Sequence, residues 1–174
     1  MLATQGSKDQ ERIARYHELF RVEGGKLIRK VDRSKAKKGD VVGTNSRGYL
    51  VCRVDKKCNF VHRIIFEMAY GPIAGGFEID HANGVRNDNR IENLRLATRV
   101  ENRQNSCPRK DSKTGIRGVM WHHGANKRRA TIRVCGKPKH LGLFSDIEDA
   151  RAARLAAERE LFGDFAPSVC RVSC

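Results

Sequence analysis

Apolar residues recur along this chain at two periods, and the places where one gives way to the other set its organisation. Ile13, Tyr16, His17 and Phe20 share one face of a 3.6-residue repeat, which makes residues 1–20 a short helix with Ser7-Lys8-Asp9-Gln10 as its capping box. From Gly24 the pattern shifts to short apolar runs between turns. Lys26–Arg29, Tyr49–Val54 and Phe60-Val61 are the strand candidates, and Gly39-Asp40 and Asn45-Ser46-Arg47-Gly48 are the reversals. Val61, Ile64, Ile65 and Met68 then form a helical stripe over residues 62–70, ended by Gly71-Pro72.

A strand, loop, strand, helix unit follows. Glu78-Ile79 has the character of a strand end, and His81-Ala82-Asn83-Gly84 is a turn, because Asn and Gly tolerate the left-handed backbone of a reversal. Leu94-Arg95-Leu96 alternates as a half-buried strand does, and Thr98-Arg99-Val100-Glu101 fits a helix-opening capping box. Residues 105–113 are polar, basic and broken by Pro108, as a linker is. Beyond them, residues 118–121, 129–134 and 140–144 read as three strands joined by turns at 123–126 and 135–138. Ser145-Asp146-Ile147-Glu148 is the capping box of a last helix. Its stripe, Ile147, Ala150, Ala153, Ala157 and Leu161, is small enough to lie close on a sheet, and Gly163 stops it. The expected fold class is α+β.

Charge changes this picture more than composition does. Of 174 residues, 39% are hydrophobic and 6% aromatic, so no single core is large. Lys and Arg number 35 against 20 Asp and Glu, a net charge of +15, which points to a polyanionic partner: nucleic acid first, an anionic membrane surface second. No apolar run approaches the roughly 20 residues of a spanning helix, and Met1-Leu2-Ala3-Thr4-Gln5 has no signal-peptide core. No membrane partner is expected, and the protein is read as soluble and cytoplasmic. Its six cysteines form no Cys-x-x-Cys pair, which favours reduced thiols over a zinc site. Residues 26–57 carry eleven Lys or Arg against three Asp, and a phosphate contact and a solvated face account for that run equally well.

The chemistry gathers around Asp80-His81. A carboxylate at a strand end and Asn102 in the following helix are 22 positions apart, yet the strand, loop, strand, helix order lets them converge. Two such oxygen ligands suit a hard divalent cation that keeps its other positions for water and phosphate. His81 faces the opposite side of the strand and is placed to act on a water. His62-Arg63 followed by "DHANGVRNDNRIENLRLATRVENRQN" at residues 80–105 resembles the HNH (ββα-metal) endonucleases in their phage and intron-encoded form. The resemblance implies Asp80 and Asn102 as metal ligands, His81 as general base and Asn93 as the brace of the loop that holds it. The family's last letter stands for His, and Asn102 occupies that place, which favours Mg²⁺ or Mn²⁺ over Zn²⁺. Arg86, Arg90 and Arg95 stand where they can steady a phosphate, and a solvated loop explains them as well. His62 is read as packing under the unit.

The last part of the chain, "RGVMWHHGANKRRATIRVCGKPKHLGLFSDIEDARAARLAAERELFG" at residues 117–163, resembles the Apetala/ethylene-response-factor type of DNA-binding domain. The resemblance implies that Arg117, Lys127, Arg129 and Arg133 face double-stranded DNA. Arg128 and His140 stand where plant members carry sheet tryptophans, and Trp121 is displaced, so no sequence preference carries over. The expected division is a basic strand-rich region at 1–60, a ββα-metal nuclease unit at 61–106, a linker at 107–113, the three-stranded sheet with one packed helix at 114–166 and a tail at 167–174. The whole reads as a metal-dependent DNA endonuclease, nicking or homing-like, acting as monomer or homodimer in the cytoplasm of a bacterial host if phage-encoded. A catalytically inactive DNA-binding regulator and a basic RNA-binding protein are the alternatives.

Overall fold

The computed structural model describes residues 2–106, 108 and 112–166, with side chains from Gly6 onward. The expected tail, Cys107, Cys170, Cys174 and most of the expected linker lie outside the described residues. The fold is α+β, with small antiparallel sheets and a few helices, as the patterning indicates. By its internal contacts the chain divides into two units, Met1–Arg99 and Val100–Cys174.

The first unit opens with α1 (Leu2–Leu19), whose Tyr16 and Leu19 are buried. Its start lies five residues before Ser7, so the expected capping box falls inside the helix, where Ser7 Oγ reaches Glu11 Oε1 at 3.4 Å. Phe20 does not close this helix. It opens β1 (Phe20–Glu23), which pairs with β2 (Lys26–Arg29) through a Gly24-Gly25 turn held at positive φ, and β3 (Val41–Val42) joins β2. A second antiparallel sheet is ordered β4 (Thr44–Ser46), β5 (Tyr49–Val54), β6 (Lys57–Phe60). The β-branched and aromatic residues of β5 suit it to the central place. α2 (Val61–Tyr70) follows at once and ends at Gly71, whose N–H donates to the Glu67 carbonyl at 3.0 Å.

β7 (Phe77–His81) and β8 (Leu94–Thr98) form a two-stranded antiparallel ribbon, and a 3-10 turn at Ile91–Asn93 leads into β8. One apolar core runs through all of this, from Tyr16 and Phe20 over Leu27, Val54, Val61 and Ile65 to Ile79 and Leu94. Residues 16–60 and the β7–β8 ribbon are therefore packed on common side chains, each contributing about 1.5–3 kcal/mol by burial. A polar tie reinforces this core: Arg12 on α1 donates to the buried Glu67 of α2 at 2.9 Å and to Asp9 at 2.6 Å.

The second unit begins in the short helix α3 (Arg99–Gln104). It continues as β9 (Val119–His122), β10 (Lys127–Val134) and β11 (Lys137–Phe144), with β10 central, and α4 (Ile147–Phe162) packs on one face. Val119, Ala130 and Ile132 meet Ala150, Ala157 and Phe162 there, so the alternation of β10 turns Lys127, Arg129 and Arg133 to the other face. The N-cap of α4 is Asp146, one residue after the expected Ser145. Its Oδ1 accepts from the Glu148 N–H at 2.6 Å, and a carboxylate also suits the positive helix end. Under the helix lies an ion pair that apolar patterning gives no sign of. Arg154 and Glu158 are buried one turn apart with 2.8 Å between their charged groups, and Arg154 Nη1 also donates to the Thr131 carbonyl.

Candidate active site

The last two residues of β7 define the site. Asp80 and His81 are both buried, at 5% and 4% exposure, and they point to opposite faces of the ribbon. The register sets Arg95 of β8 opposite Asp80. The Arg95 guanidinium meets one oxygen of the carboxylate, with Nε donating to Oδ2 at 2.9 Å and Nη2 at 2.8 Å from it. Arg95 is thus paired with the very carboxylate expected to bind a cation.

His81 faces the core side. Its ring lies edge-on to that of His62, with centroids 4.9 Å apart, and 6.0 Å from that of Tyr49. Nε2 of His81 is 3.1 Å from Oδ1 of Asn89, a residue only 1% exposed. In the tautomer with its proton on Nε2, the imidazole donates to that amide oxygen and cannot rotate without breaking the bond. Burial pushes the His81 pKa below the ordinary imidazole value, and Asn89, Asp80 and Asp88 pull against that shift only in part. The ring is neutral at pH 7.

The loop between the strands is held from within. Asn93 accepts from the Asn83 N–H at 2.9 Å and donates to the Asp88 carbonyl at 2.7 Å, joining the two ends of the loop. Asn83 also bonds Asp88 Oδ2 at 2.7 Å and accepts from the Val85 N–H at 2.8 Å. Asp88 receives a two-pronged grip from Arg90, at 2.8 Å on each oxygen, and this holds its carboxyl well below the usual range. The Arg86 guanidinium lies 5.0 Å over the Tyr49 ring, and Nη1 donates to the Arg47 carbonyl at 3.0 Å.

His62 is buried beside this site with Nδ1 lacking a hydrogen-bond partner among the described residues. Burial lowers its pKa from 6.5 to about 3, with His81 and Arg63 adding to the shift. The unfolded chain then binds a proton between these values that folded His62 does not, so stability is lost as pH falls through this window. Urea unfolding at pH 7 and pH 4.5 is expected to show this loss. His62→Phe, which keeps a ring in place, should make it smaller.

Asn102 lies half-buried on α3, beyond the division between the units. Among the described residues no three His, Cys, Asp and Glu side chains are gathered to hold an ion. The oxygen donors among the expected ligands are one buried carboxylate and an amide, a hard set of the kind a divalent cation takes. On the second unit, Lys127, Arg129 and Arg133 share the open sheet face, but Arg117 does not join them. Its Nη1 donates to the Gln104 carbonyl at 2.6 Å, and burial and Arg154 lower its pKa. Asn89, Asp88 and Tyr49 escape a reading of the sequence, although the run Asn87-Asp88-Asn89-Arg90 carries too many hydrogen-bonding groups for an ordinary turn.

No helix among the described residues is long and apolar enough to cross a membrane. No solved structure matches the chain. The HNH endonuclease family model matches residues 59–104, the stretch that carries His62, Asp80, His81, Asn93 and Asn102. Protein 3.8 of Escherichia phage T7 is 34% identical over 105 residues, covering 60% of this chain and 86% of that protein. The chain therefore belongs to the family of the T7 phage Protein 3.8 and carries an HNH endonuclease domain.

Proposed function

We propose that this protein is a metal-dependent endonuclease that hydrolyses phosphodiester bonds in double-stranded DNA and is guided to it by its second unit. The observation that carries the reading is the pair at the end of β7: a neutral, buried imidazole fixed by Asn89, and a carboxylate on the opposite face, inside the HNH match. Asp80 and Asn102 are the residues that would hold a divalent cation. When bound, the cation supplies positive charge against the phosphate oxygens.

His81 takes a proton from the water that attacks phosphorus, as a neutral imidazole can at pH 7. Arg95, held beside Asp80 by its contact with Oδ2, would steady a phosphate oxygen at the same face of the ribbon. The products are a 5′-phosphate and a 3′-hydroxyl, and a single site of this kind nicks one strand. Lys127, Arg129 and Arg133 form a basic face on a three-stranded sheet, a shape that enters a major groove. Such contacts suit a protein that works in the cytoplasm of a bacterial host.

A second reading draws on the Asp80–Arg95 pair itself: a carboxylate already neutralised belongs equally to a DNA-binding regulator that does not cut. Incubation of supercoiled plasmid with the protein in Mg²⁺ or Mn²⁺ separates the two. Open circular product that disappears with EDTA is expected. Intact supercoiled plasmid in both metals, with retention on the DNA, would establish the regulator instead.

A further inference from the structure

The β4–β5–β6 sheet turns Leu50, Cys52 and Val54 into the core. By the period of two, Tyr49, Val51, Arg53, Cys58 and Phe60 lie on its other face. That face is not polar. Phe60 is 43% exposed, although it stands beside the most buried polar cluster of the unit. Its ring stacks at 25° on that of His62, with 5.3 Å between centroids, and meets Tyr49 edge-on at 5.5 Å. Tyr49 in turn is 6.0 Å from His81 and lies under the Arg86 guanidinium. An aromatic surface thus runs from solvent to the candidate base, rimmed by Arg53 and Arg86.

We infer that this face is a stacking platform for an unpaired nucleobase, with Phe60 as its outermost ring. A nucleobase offers the flat π-face that an exposed phenyl ring on a sheet accepts, and its neighbouring phosphates meet the two guanidinium groups. Arg53 and Arg86, on a chain of net charge +15, make this rim complementary to a nucleic-acid strand and unfavourable to a basic peptide. The inference rests on the nuclease reading for one point only: the stacked base belongs to the nucleotide beside the cleaved phosphate. Stacking there would draw a nucleotide out of the duplex and hold its phosphate near His81.

The full chain in EDTA, where no cleavage occurs, is titrated with a single-stranded oligonucleotide containing 2-aminopurine. Quenching of its fluorescence on binding is expected. Phe60→Leu keeps apolar bulk but removes the π-face, and should weaken single-strand binding by about tenfold while leaving binding of an intact duplex within about twofold. In a Trp121→Phe background, Phe60→Trp keeps a ring and becomes the sole tryptophan reporter, and its emission should be quenched by unlabelled oligonucleotide. Unchanged affinity in Phe60→Leu, or quenching indifferent to residue 60, overturns the platform. If Phe60→Leu fails to fold, an unquenched Phe60→Trp overturns it alone. Failure of plasmid nicking with metal would leave these binding results standing, so the two readings fall separately.

Discussion

His81→Ala is expected to slow plasmid nicking by about 10²–10⁴-fold, the range that a positioned general base supplies. Retention of the protein on duplex DNA in EDTA should be unchanged, because a neutral imidazole adds no charge to phosphate binding. The pH profile of the parent carries the same signature. A base works in its unprotonated form, so the rate rises with pH and levels off once the imidazole has lost its proton. Burial lowers the His81 pKa, which places that levelling below the ordinary imidazole value near 6.5. A variant that nicks at the parental rate, or a parent whose rate keeps climbing through pH 8, would remove His81 from the role. Asn89→Ala supplies an independent check. It leaves the imidazole in place but removes the amide oxygen 3.1 Å from Nε2, so a smaller loss in the same direction is expected.

What the sequence made legible follows the strength of its periods. α2, β5, β10 and α4 are long or strongly patterned, and each is readable within a few residues of its bounds. β3 and β4, of two and three residues, are too short to display any alternation, and they exist only because β2 and β5 offer them an edge. Local chemistry misplaced the cap of α4: Ser145 and Asp146 are both good caps, and which one serves depends on where the chain leaves β11. At the site, Asp80 and His81 stand out by adjacency and turn context. The pairing of Asp80 with Arg95 does not, because it depends on the register of β7 against β8, which a one-residue slip would abolish. Arg117 shows the same limit from the other side. The family resemblance implies Arg117 as a DNA contact, yet its guanidinium is occupied by backbone carbonyls of its own unit.

Gly25→Ala is expected to cost more than the same change at Gly24, and to act on the site from a distance in sequence. Gly25 turns the β1–β2 hairpin at φ +76°, where a side chain costs about 1–2 kcal/mol. A Cβ there would also lie 2.6 Å from the Arg90 backbone nitrogen and 2.9 Å from its Cα, closer than packed atoms allow. Arg90 cannot simply retreat, since its guanidinium is locked onto Asp88 and its carbonyl accepts from the Asn93 N–H at 2.9 Å. The shift therefore passes to Asn89, the adjacent residue, and through it to the His81 ring. A displacement of about 1 Å at a reacting group costs on the order of 10²-fold in rate. Gly24→Ala is the matched control, because Gly24 has φ +54° but nothing within 4 Å of an added Cβ. The control should lose only the backbone term, about 1–2 kcal/mol in urea unfolding, and keep its nicking rate. Gly25→Ala should lose more stability and most of its activity. If the two variants unfold and nick alike, the hairpin turn does not press on the loop, and the fixing of His81 comes from the loop's internal hydrogen bonds alone.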